Sequence, residues 1–130
     1  MAALNDLIAR ARAAGLPVEL NVEGEPGSLP AGVDLAAYRV VQEALTNTLQ
    51  HAGPARARVT IRWESENLVL VVDDSGQGPA DAPPDGVGQG LVGMRERVAM
   101  CGGDLTTGRR RGGGYQVYAR LPRESAEIAA

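Results

Sequence analysis

Apolar positions along the 130-residue chain follow two periods, 3.6 and 2, and the switches between them mark out the elements. Leu4, Leu7, Ile8 and Ala11 share one face of a helix over residues 4–14, which stops at Gly15 with Pro17 just beyond. Val18, Leu20 and Val22 then alternate with polar residues as a short strand, and residues 24–32 have the Gly/Pro/Ser composition of a loop. Asp34 is suited to cap a long helix over 34–52. On that helix Val41, Leu45, Thr48 and Ala52 form the expected core stripe. Glu43, Asn47 and His51, each four residues after the last, make a second stripe of hydrogen-bonding side chains.

Val59, Ile61 and Trp63 alternate with Arg58, Thr60 and Arg62, as a half-buried strand does. Residues 64–67 turn the chain, and Leu68 to Val72 is continuously apolar, the pattern of a central strand covered on both faces. It runs directly into Asp73-Asp74-Ser75-Gly76-Gln77-Gly78. Residues 76–90 are rich in Gly and Pro and are expected to form a mobile surface loop. A helix over about 91–101 and strands at 104–107 and 115–121 complete the pattern, with Arg109–Arg111 and Gly112–Gly114 between the strands. The expected fold is a two-layer α/β sandwich: a mixed, mostly antiparallel sheet of about five strands, with about three helices on one face. Residues 1–122 make one domain and 123–130 a tail expected to fray from Arg123.

Composition narrows the chemistry. Apolar residues make up 44% of the chain, enough for a core, but with no Phe that core must be built from Val, Leu, Ile and Ala. All 13 basic residues are Arg; without Lys, a Walker-type P-loop and a eukaryote-like protein kinase are excluded. A formal charge of -3 gives no general attraction to nucleic acid. Single Cys and His residues, Cys101 and His51, cannot make a disulfide or a zinc site, and Cys101 reads as a buried packing residue. Apolar runs fall short of a membrane span and no signal peptide is visible, so a soluble, cytoplasmic chain is expected, whether or not its parent is membrane-anchored.

Asp74 ends an apolar strand just before a Gly-rich turn. A carboxylate there can accept a hydrogen bond from the amino group of adenine, whereas guanine presents a carbonyl and leaves both acceptors unpaired. The alternative is a strand-end Asp that bonds its own backbone. Gly76 and Gly78 let a flat base approach the chain, and Gly86, Gly88 and Gly90 precede a helix whose free N–H groups favour phosphate; an ordinary flexible loop has the same composition. Gly88–Gly93 also fits GxGxxG, but no strand precedes it and Arg109–Gly114 stands where an acidic residue is required, so a Rossmann site is rejected. Asn47 offers an amide oxygen to Mg²⁺ and an amide nitrogen to phosphate, or back-bonds to its helix. His51 is a phosphate donor or a helix C-terminal charge, and Glu43 orients water or the metal shell or is a solvated helix residue.

Three stretches carry a family resemblance. Residues 42–52 (QEALTNTLQHA) resemble the N box of histidine kinases, 73–78 (DDSGQG) the first glycine box and 88–98 (GQGLVGMRERV) the second. With Gly102-Gly103 and residues 112–117 (GGGYQV), they are similar to the short sensor kinases that signal to regulators with helix-turn-helix output domains. The resemblance covers roughly residues 4–122. It implies the Bergerat-type ATP fold shared with gyrase, a heat-shock chaperone and mismatch-repair ATPases. It assigns Asp74 to adenine, Asn47 to Mg²⁺, Gly76, Gly78, Gly88 and Gly90 to the ATP pocket and its lid at 77–90, and Leu91 and Met94 to packing of the lid's helical end. His51 is expected to face the nucleotide. Two positions depart from the family: Gln50 stands where a basic residue is common, removing a charge near the phosphates, and Gln89 where the subgroup often has His.

The resemblance further implies that the chain supplies the donor half of a phosphotransfer. ATP and Mg²⁺ are the implied cofactors. The implied partners are the phosphoacceptor and dimerisation domain of a parent kinase and, through it, a response regulator. Glu43 and Asn47 are the candidate catalytic residues. Two other readings share the fold: a stand-alone serine kinase of the anti-sigma type, and a non-catalytic nucleotide-dependent interaction module suggested by Gln50.

Overall fold

Leu and Ala at helical spacing make α1 (Ala2–Ala13), the first element of a computed structural model that describes residues 2–51, 55–75, 89–109 and 113–123. Residues 2, 51 and 89–91 are described by their backbone. α1 ends where the sequence requires. Gly15 adopts φ 101°, its N–H bonds the Arg12 carbonyl at 3.0 Å, and the Leu16 N–H reaches back to Ala11 O at 3.1 Å. This six-to-one, five-to-two pair closes a helix through a left-handed residue. Arg12 then ties the helix to the next strand, its Nε and Nη2 donating to Val18 O at 3.0 and 2.8 Å.

The remaining elements are β1 (Val18–Glu23), α2 (Ala31–His51), β2 (Ala57–Trp63), β3 (Asn67–Asp74), α3 (Gln89–Met100), β4 (Asp104–Arg109) and β5 (Tyr115–Pro122). The strands form one sheet in the order β1-β2-β3-β5-β4; β1 and β2 are parallel and every other pair is antiparallel. The long helix starts earlier than expected. Asp34 is not its cap: the Asp34 N–H already bonds Pro30 O at 2.9 Å, so the helix begins at Ala31 and Asp34 lies in its first turn. A Pro lacks the N–H that a helix start leaves unpaired, and an acidic side chain in the first turn suits the helix dipole.

One core lies between the helices and the inner face of the sheet. Ala37, Val40, Val41, Ala44 and Leu45 of α2, Leu4 and Ile8 of α1, and Met94 and Val98 of α3 bury against Val59, Ile61, Leu68, Leu70, Val72, Val117, Ala119 and Leu121. Alanines on α2 let its backbone lie close to the strands, and Trp63 is the one aromatic side chain among the buried core residues described. The expectation that β3 is covered on both faces needs correction. Val69 is 2% exposed yet stands outside the core cluster, on the face away from the helices. In register it lies between Arg62 and Arg120, whose long apolar stems shield such a position without a second layer. Cys101 is half-buried rather than buried, with its thiol 3.6 Å from Gly32 O.

Arg123, where the tail was expected to fray, is held. Its N–H bonds Glu66 O at 2.9 Å, its Nη1 bonds Glu64 O at 2.9 Å, and its guanidinium lies 5.2 Å from the Trp63 ring centroid. Residues 124–130 lie outside the described residues.

Candidate functional site

Two adjacent carboxylates end β3, and the pleat sends them to opposite faces. Asp73 points outward, where the Gln116 amide nitrogen donates to its Oδ1 at 2.7 Å, beside an Arg58–Glu19 ion pair of 2.8 Å. Asp74 points toward the helices and is 8% exposed. It is one of only two buried polar side chains among the described residues, and the other is Thr48, at 3%. They touch: the Thr48 hydroxyl lies 3.1 Å from Asp74 Oδ2 and 3.0 Å from Ala44 O one turn back on α2.

That contact joins the end of the central strand to the helix that carries the polar stripe. Asn47 precedes Thr48 and so lies about 100° around the helix from it, half-buried; Glu43, one turn back, is also half-buried. The structure thus joins Asp74 to α2 through Thr48, the residue next to Asn47 in sequence. His51 closes α2 and its side chain lies outside the described residues, as do Gly76, Gly78, Gly86, Gly88 and the side chain of Leu91. The lid expected at 77–90 is likewise outside them, except that Gln89 and Gly90 already belong to the first turn of α3. Met94 is buried in the core, and Gln50 is exposed on α2.

β5 borders Asp74 on the side of β3 away from β2. Tyr115 pairs directly with Asp74, so both side chains leave the sheet on the same face. Its hydroxyl is buried and has no hydrogen-bond partner among the described residues. Gly114, at φ 95°, brings its backbone against the Asp74 carbonyl so closely that a Cβ there would collide with the oxygen. Beyond Asp74, Ser75 extends the pairing with β2: its N–H bonds Arg56 O at 2.9 Å and its hydroxyl accepts from Arg56 N at 2.9 Å. An open cavity of about 590 Å³ at this end of the sheet is walled by the ends of β1, β2 and β3, Asp74 included. Neither Asn47 nor Thr48 lines it; Asp74 is the residue that the cavity shares with the contact to α2.

Thr48 and Tyr115 were not singled out as site residues in the sequence. Thr48 sat on the core stripe, and its one signal was a hydroxyl among Val41, Leu45 and Ala52. Tyr115 could be placed only by the β3–β5 register, which is a tertiary fact.

A metal-binding group built from three or more His, Cys, Asp or Glu side chains is absent among the described residues. A half-buried Asn with one amide oxygen fits an ion that takes most of its ligands from water and phosphate, as Mg²⁺ does. No helix among the described residues is long and apolar enough to cross a membrane.

Comparison with known proteins bears on the family and the fold. Sensor histidine kinase LnrJ of Bacillus subtilis strain 168 is 34% identical over 108 residues, 83% of this chain and 26% of that protein. Sensor histidine kinase YxjM of the same strain is 35% identical over 109 residues, with the same coverage. The chain thus spans about a quarter of the length of these relatives. Among solved structures, the histidine kinase domain of the Erythrobacter litoralis EL346 blue-light activated histidine kinase superposes with a TM-score of 0.69 at 27% identity, over 90% of this chain and 63% of that one. Residues 32–125, from α2 to past β5, match the family described as histidine kinase-, DNA gyrase B-, and HSP90-like ATPase, and the chain belongs to that family.

Proposed function

We propose that the chain is the ATP-binding catalytic domain of a sensor histidine kinase, presenting the γ-phosphoryl group of Mg-ATP to a histidine on a separate dimerisation domain. The observation that carries this is a carboxylate, Asp74, buried at the end of the central strand and bonded to the helix that bears Asn47. Asp74 accepts from the 6-amino group of adenine, and Tyr115 stands beside it on the same face. Asn47 would give its amide oxygen to a magnesium ion and its amide nitrogen to phosphate. The ion, when bound, neutralises charge on the phosphate oxygens. The start of α3, with Gly90 in its first turn, would offer unpaired backbone N–H groups to the phosphates. His51 adds a donor to them.

In the transfer, the imidazole nitrogen of the acceptor attacks the γ-phosphorus in line, the bond from phosphorus to the β–γ bridging oxygen breaks, and ADP leaves. Such chemistry depends on positioning and charge stabilisation more than on covalent help from the protein. Glu43 is the candidate base for the imidazole proton. The phosphoryl group then passes to a response regulator. Both relatives named above are sensor histidine kinases, which favours this reading over a stand-alone serine kinase.

The test is calorimetry with Mg-ADP followed by labelling from γ-labelled ATP. The chain binds nucleotide but stays unlabelled alone, and an acid-labile phosphate forms on a dimerisation domain added in trans. Absence of heat with Mg-ADP, or stoichiometric acid-labile label on this chain by itself, overturns the proposal.

A further inference from the structure

Thr48 has the shape of a core residue and the chemistry of a site residue. It is 3% exposed, on the stripe that α2 buries, and its hydroxyl faces the one other buried polar side chain described, Asp74. We infer that Thr48 is the positioning residue for the Asp74 carboxylate and that its hydroxyl sets the preference of the site for a purine carrying a 6-amino group. The inference rests on the nucleotide reading of Asp74 proposed above.

An Asp at a strand end has two free torsions, and a base amino group finds an acceptor only if the carboxylate plane is turned toward it. Thr48 removes that freedom from the far side. As a β-branched residue it has few χ1 states, and the 3.0 Å contact from its hydroxyl to Ala44 O selects the one that also brings Oγ1 to 3.1 Å from Asp74 Oδ2. Both neighbours can accept and a hydroxyl has one proton, so Thr48 donates to one at a time or divides its proton between them, and the share given to Asp74 Oδ2 turns the carboxylate. Because Thr48 follows Asn47 directly, the same bond sets the distance between the base-reading and phosphate-binding halves of the site. Orientation fixed before binding is affinity that need not be lost to ordering.

The test compares Thr48→Val, which keeps the shape and loses the hydroxyl, with Thr48→Ser, which keeps the hydroxyl. ADP is set against inosine diphosphate, whose base differs in having a carbonyl and a ring N–H where adenine has its amino group and a ring acceptor. Binding is read by competition and the apo melting temperature alongside. Losing one buried hydrogen bond to a charged acceptor predicts roughly tenfold weaker ADP binding for Thr48→Val. Inosine diphosphate binding changes little, so the ADP preference shrinks, and Thr48→Ser restores it. A purely structural Thr48 shifts the melting temperature and leaves the ratio of the two affinities at its wild-type value. That result overturns the inference, as does failure of Thr48→Ser to restore the preference. Asp74→Asn separates the two levels: if it weakens ADP binding while Thr48→Val leaves the preference whole, only the role of Thr48 falls. If Asp74→Asn binds ADP as wild type does, the nucleotide reading falls with it.

Discussion

Asp73 and Asp74 share one side-chain chemistry and differ in what their strand does with them. One faces solvent beside Gln116; the other is buried on Thr48. Asp74→Asn is therefore expected to weaken Mg-ADP binding by about 10- to 100-fold, since it removes an ionised acceptor, whereas exposed Gln50→Ala stays within about twofold. Calorimetry on both variants checks this, and equal effects would mean the pocket is misplaced. Tyr115→Phe tests the neighbouring hydroxyl. A buried hydroxyl without a partner costs about 1–3 kcal/mol of desolvation, so its removal should leave the apo protein as stable or more stable in a urea melt. A clear loss of stability would reveal a bond that the described residues do not show. The candidate carboxylate was legible from Asp74 itself, because an apolar strand ending in Asp before a Gly-rich stretch is a local pattern. Thr48 was not, because a hydroxyl on a buried stripe acquires a role only from the side chain it meets.

At the scale of elements, two glycines in left-handed conformations separate local from tertiary constraint. Gly15 has no atoms near the place its Cβ would occupy, so Gly15→Ala bears only the backbone penalty, about 1–2 kcal/mol. Gly114→Ala bears the same penalty and also forces a Cβ into the Asp74 carbonyl, which belongs to the central strand and cannot easily retreat. It should cost more than Gly15→Ala in a denaturant titration, and it should weaken ADP binding while Gly15→Ala does not. An equal loss at the two positions would show that the β5 backbone yields freely. Gly15 was readable as a helix stop from the Gly-Leu-Pro that follows α1. Gly114 was readable only as part of a loop, since its constraint comes from a residue forty positions away. Asp34 teaches the reverse lesson: a good capping side chain lost to Pro30, because Ala31 and Val33 could already be helical and Val33 finds burial in the core.

For the whole molecule, a five-stranded sheet carries three helices on one face and a network of exposed pairs on the other, among them Arg58–Glu19, Arg62–Glu23 and Arg120–Asp104. Exposed pairs contribute about 0–1 kcal/mol each and are screened by salt, so raising NaCl should shift the melting temperature only slightly. A steep fall in stability with salt would show that this outer face carries more of the fold than its exposure suggests. The sequence by itself determined the element order, the apolar core without Phe, the absence of a Lys-dependent phosphate loop, and the three motifs that resemble histidine kinases. Those are matters of period, composition and short spacing, which a chain carries with it wherever it folds. Tertiary structure alone decided that β1 lies parallel to β2 at one edge, that β5 inserts between β3 and β4, and that Thr48 and Tyr115 flank Asp74. Strand order and register arise from burying all inner faces against the same helices at once, a condition that no local window of sequence contains.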